Sequence, residues 1–104
     1  MSIADETVLA LWGGAIAAYV GRGVRKIPTA DETALFAFTP DHFDQLLPLV
    51  KEALSAADAV TLDGVAREHA QATVMARLRE ALPGLDETGV DALAWRWGYI
   101  TYGG

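Results

Sequence analysis

Apolar residues recur along this chain at helical rather than alternating spacing, and four stretches carry the caps and stops that a helix needs. The longest apolar run, Val8 to Val20, is apolar on nearly every side at the helical period, which suits a helix enclosed by others. A helix over about residues 3–20 follows, with Ser2 as N-cap, Asp5 and Glu6 in its first turn, and Gly21 and Gly23 as stops. Gly13 and Gly14 each cost such a helix about 1 kcal/mol against alanine. The pairs Gly13/Ala17 and Gly14/Ala18 therefore mark places where another backbone comes near, and Gly14 is expected to reject a larger side chain.

The next pattern is ambiguous. Within residues 31–38, Ala34-Leu35-Phe36-Ala37-Phe38 is too short for periodicity to separate a helix from a strand, and helix is favoured. A second helix over about 40–57 has Thr39 as N-cap, Pro40 at its first position, and Phe43, Leu46, Leu47, Val50, Ala53, Leu54 and Ala57 in one stripe. Pro48 removes one backbone hydrogen bond and predicts a kink or break there. A third helix over about 62–82, capped by Thr61 or Asp63 and stopped by Pro83-Gly84, turns Val65, Ala66, His69, Ala72, Met75, Leu78 and Leu82 inward. A fourth over about 87–98 starts at Asp86 and carries Val90, Leu93, Ala94 and Trp97 at turn spacing. The following Tyr99-Ile100-Thr101-Tyr102 has the β-branched and aromatic composition of an extended tail, which would pair with residues 34–38 if those formed a strand. The expected fold is an all-α bundle of four main helices in a single domain spanning 1–104.

The triplet Asp-Glu-Thr occurs at Asp5, Asp31 and Asp86, each time before an apolar segment. No matching copy stands near residue 58, so the recurrence reads as helix starts that converge on acids for the helix dipole rather than as a repeat.

Composition narrows the function classes. There is no cysteine, which excludes disulfides, thiolate nucleophiles and cysteine metal sites. The apolar run is shorter than the about 20 residues that span a bilayer, and acids precede it where a secretory signal carries positive charge; no membrane, no targeting segment and a cytoplasmic location are the expectations. Net charge is −6, and the one local excess of cations is Arg22, Arg25 and Lys26. Nucleic-acid binding needs a clustered basic face, so a protein partner, itself basic, fits the charge better.

Catalytic and metal chemistry find little support. His42 and His69 stand 27 positions apart; His42 reads as an exposed first-turn residue and His69 as a half-buried one on the third helix. Ser55 sits in Leu54-Ser55-Ala56 rather than the Asp-Ser-Leu of acyl carrier proteins. An EF-hand loop with Gly64 at its sixth position would place Ala59 where a carboxylate is required. The terminal Gly103-Gly104 resembles ubiquitin-like tails, which belong to β-grasp folds, and Gly21-Arg22-Gly23 lacks the Lys-Ser/Thr of a phosphate loop. No cofactor, metal site or catalytic residue is assigned.

Trp95, Trp97, Tyr99 and Tyr102 form the most distinctive cluster. Trp97 continues the core stripe; Trp95, Tyr99 and Tyr102, with His69, are the candidate binding residues. The leading expectation is a non-enzymatic acidic helical interaction module of the immunity-protein, antitoxin or adaptor type. The alternatives are a small-molecule-binding domain or minor enzyme with a pocket between helices, and a structural subunit of a homo-oligomer.

Overall fold

A computed structural model describes residues 6–103, in which α1 (Glu6–Val20), α2 (Glu32–Phe38), α3 (Phe43–Asp58), α4 (Arg67–Ala81) and α5 (Glu87–Tyr102) pack around one apolar cluster. Among these residues there is no strand, and no helix is long and apolar enough to cross a membrane. Ser2 and Asp5, expected in the cap and first turn of α1, lie outside the described residues.

Helix α1 touches α2, α3 and above all α5, but it is not covered on every side as its composition suggested: Leu9 and Ala10 are exposed, and Leu11, Ala17 and Ala18 are half-buried. It buries Val8, Trp12, Ala15, Ile16, Tyr19 and Val20. Gly21, at φ +83°, ends it: the amides of Gly21 and Arg22 both donate to the carbonyl of Ala17, and the chain turns away in a left-handed cap. The connector is then tied back, Thr29 N–H to Val20 O at 2.8 Å and Asp31 N–H to Tyr19 O at 3.0 Å.

Residues 32–38 are helical. Asp31 accepts a hydrogen bond from the Ala34 amide at 3.0 Å, and Asp86 accepts one from the Gly89 amide at the same distance at the start of α5. Both caps place the aspartate of Asp-Glu-Thr three residues before its donor, so these two copies of the triplet are helix starts, as the dipole argument requires. With α2 helical and α5 continuing to Tyr102, the strand pairing of residues 34–38 with the tail does not form. The helix ends at Gly103 in the left-handed region, four residues beyond the expected stop at 98, and Gly98 is carried through its interior. β-branched and aromatic composition is a weak preference, and on the helix the Tyr102 ring meets Trp97 and Arg67.

Helix α3 keeps its expected stripe, with Leu46, Val50, Ala53 and Ala57 buried, but starts later than expected. Pro40–His42 form a separate 3-10 turn, Thr39 makes no side-chain cap, and its residue is buried instead. The helix runs through Pro48 without a break.

Helix α4 departs most from expectation. It begins at Arg67, after a loop in which Gly64 takes φ +77°, and Ala66 stands at its cap position, so neither Thr61 nor Asp63 caps it. Its inward residues are Ala70, Val74 and Leu78, one every fourth position, followed by Leu82. His69, Ala66 and Ala72 are exposed; His69 is adjacent to that stripe and Ala72 two positions from it, where a helix turns the side chain roughly 100° to 200° aside, and Ala66 precedes the helix on extended backbone. The loop before α4 is held from outside by Trp97 Nε1–H to Val60 O at 3.1 Å and Arg77 to Thr61 O at 3.0 Å. At the far end of α4, Arg79 makes two hydrogen bonds to Glu87, which hold that carboxyl below its usual range.

The close backbone approach is between α1 and α5. A Cβ built on Gly13 would collide with the Asp86 carboxylate and stand 3.0 Å from the Gly89 amide nitrogen; one built on Gly89 would stand 3.0 Å from the Gly13 Cα. Gly14 instead faces the tip of the Phe38 ring, whose residue is 46% exposed and free to give way. The position intolerant of a side chain is therefore Gly13, not Gly14. Alanine raises helix propensity by about 1 kcal/mol at either. We expect Gly13→Ala to lose roughly 2 kcal/mol of stability from overpacking and the strained cap, and Gly14→Ala to stay within about 1 kcal/mol of the parent, in urea unfolding. Equal losses at the two positions would remove the α1–α5 approach as the determining contact.

Candidate functional site

Trp95, Gly98, Tyr99 and Tyr102 fall at i, i+3, i+4 and i+7 of α5, which gathers them on one side of the helix. Together with Ala70 and Gln71 of α4 they line a groove of about 360 Å³, open to solvent. Gly98 keeps its floor low: a Cβ there would meet only the Gln71 side-chain oxygen, at 3.5 Å. The groove is rimmed by Arg22, from the turn after α1, and Arg67, the first residue of α4.

Each arginine lies over an aromatic ring. The guanidinium carbon of Arg22 is 5.4 Å from the Trp95 ring centre, and that of Arg67 is 4.4 Å from the Tyr102 ring centre. Arg22 is also bound to Asp91, Nε–H to Oδ2 at 2.8 Å. Asp91 and Trp95 are one turn apart on α5, so this one side chain engages both. The hydrogen bond from Arg22 to Asp91 holds the guanidinium protonated above its ordinary value. Arg67 has no carboxylate partner among the described residues.

The three tryptophans divide by what their indole N–H does. Trp12 donates to Leu49 O and Trp97 to Val60 O, each at 3.1 Å, and both residues are 7% exposed. Trp95 is half-buried, and its N–H makes no hydrogen bond within the described residues. Trp97 also packs edge-on against Tyr102 with ring centres 5.8 Å apart, so the groove wall rests on a core residue.

Of the residues expected from sequence, Trp95, Tyr99 and Tyr102 come together and His69 does not. His69 is exposed on α4, its amide bonded to Ala66 O and its carbonyl accepting from the Thr73 hydroxyl. The sequence reading missed Arg67, Gln71 and the placement of Arg22. An i, i+3, i+4, i+7 spacing was present from Trp95 to Tyr102, but with the expected helix stopped near 98 and the tail open between extended and helical, it did not stand out.

A second open hollow, about 420 Å³, lies beside Ala56, Val60 and Arg77 and has no aromatic wall. Among the described residues no three His, Asp or Glu side chains gather as a metal ion requires. No protein-family model matches the chain, and neither a curated protein nor a solved structure shows significant similarity to it.

The tryptophans give the test of this division. Trp97→Ala removes a buried ring and the anchor of the α3–α4 loop, and is expected to cost about 3–5 kcal/mol. Trp95→Ala removes a half-exposed ring and is expected to cost less than about 2 kcal/mol. Equilibrium unfolding of the two variants decides: equal losses would make Trp95 a core residue and leave the groove without its distinguishing side chain.

Proposed function

We propose that this chain is an acidic helical protein-interaction module, of the adaptor, antitoxin or immunity-protein type, and that a partner protein docks in the groove between α4 and α5. The observation that carries this reading is the indole of Trp95, whose N–H makes no hydrogen bond within the described residues, set beside two further aromatic residues and two arginines that lie over rings. Trp, Tyr and Arg are the residue types that dominate binding hot spots. An arginine already held against a ring has less rotamer freedom to lose on association.

The volume falls in the range of small-molecule sites, about 300–1,000 Å³. Such sites enclose most of their ligand, whereas this groove is open to solvent and suits a segment lying across it. Two cations on a chain of net charge −6 do not make the continuous stripe that a phosphate backbone requires. At long range the net charge favours a partner that is basic overall.

Photo-crosslinking tests the docking face. With a benzophenone side chain placed at position 95 or at position 99, adducts to a partner protein are expected in the native cell, and none with the same group at Glu52 on the exposed side of α3. Adducts at all three positions alike, or at position 52 alone, would sink the proposal. An adduct of twice the chain's mass from position 95 would assign the groove to a second copy and favour the homo-oligomer alternative.

A further inference from the structure

The groove is rich in donors and poor in acceptors. Arg67 is cationic and has no carboxylate partner among the described residues, Trp95 holds a free N–H, and Gln71 has an amide that makes no hydrogen bond within the described residues. No aspartate or glutamate lines it. Among the described residues Arg22, Arg25, Lys51, Arg79 and Arg96 each meet a carboxylate, and Lys26, Arg67 and Arg77 do not. Arg77 donates instead to the Thr61 carbonyl, and of the two cations at the groove Arg22 is already held by Asp91, which leaves Arg67 as the groove cation without a carboxylate.

The geometry of Arg67 limits what it takes. Its guanidinium carbon lies 4.4 Å over the centre of the Tyr102 ring, and the planar fork of N–H donors is of the kind that binds a carboxylate by two parallel hydrogen bonds. The low floor at Gly98 and the ring of Trp95 accept an apolar group next to that carboxylate. Local sign outweighs net charge here, because at physiological salt charges farther than about 8 Å are screened.

We infer that the segment docked in this groove presents an aspartate or glutamate side chain to Arg67, with an apolar side chain beside it on Trp95 over Gly98. The inference rests on the interaction reading above and names the chemistry of the docked segment.

A random peptide library displayed on phage, selected against the whole chain and counter-selected against its Trp95→Ala variant, supplies the probe. The peptides retained only by the parent are expected to share an acidic residue next to an apolar one. In synthetic peptides of the enriched sequence, Asp→Asn or Glu→Gln should weaken binding at least tenfold. Arg67→Gln should weaken the parent peptide to the same extent and should add little to the peptide substitution. A peptide carrying Lys at the acidic position should bind Arg67→Glu better than it binds the parent. An unchanged melting temperature for Arg67→Gln excludes unfolding as the cause. Peptides that depend on Trp95 but carry no shared acid, or that bind Arg67→Gln undiminished, would overturn the inference and leave the groove as a docking face. If no peptide depends on Trp95, the inference and the docking reading fall together.

Discussion

The contact on which this structure turns is the meeting of two glycines. Gly13 of α1 and Gly89 of α5 bring two backbones within 3.0 Å of where a Cβ would stand, and the Asp86 carboxylate that caps α5 lies in the gap. Two local requirements are thus satisfied in one place: a helix start needs an acceptor for its free amides, and two helices in close approach need a point without side chains. From that point the line of α5 is set, and with it the position of everything α5 holds. Arg22 reaches Asp91 and Trp95, Arg96 reaches Asp58 at the end of α3, and Trp97 reaches the loop before α4. Exposed ion pairs of this kind contribute about 0–1 kcal/mol each, so they fix register more than they stabilise.

The same helix therefore has two occupied faces of different character. Val90, Leu93, Ala94 and Trp97 are buried, and every polar atom among them is satisfied. Trp95, Gly98, Tyr99 and Tyr102 form a second surface that the remaining helices leave open to solvent, and on the α4 side the small residue Ala70 lines it. A broader residue than Ala70 would fill the groove from the α4 side.

Much of this was legible in the sequence, and the failures have physical causes. The apolar girth of α1, the stripe of α3 and the start of α5 follow directly from spacing and caps, and the assignment of Trp97 to the core and Trp95 to the surface follows from the helical angle between them. Asp31 settled a segment whose hydrophobic pattern was undecided, through a cap that competes with no strand pairing. The register of α4 was misread because Val65, Ala66 and His69 mimic a stripe that belongs to a loop and an exposed edge. The tail was misread because local composition says nothing of the Trp97 and Arg67 side chains that receive Tyr102 on a helix. Arg67 was invisible because its role depends on lying across from a ring 35 positions away, a distance no local pattern spans.

The pairing of α1 with α5 also has a consequence in time. Arg22 and Asp91, which close the end of the α1–α5 contact, are 69 positions apart. At ribosomal rates of about 5–20 residues per second, α1 leaves the tunnel roughly 3–14 s before the surface that covers it exists. During that interval a helix apolar on nearly every side has only α2 and α3 to shelter it. Newly made chains consequently pass through a stage in which their most hydrophobic element is open to holding factors and to other nascent chains.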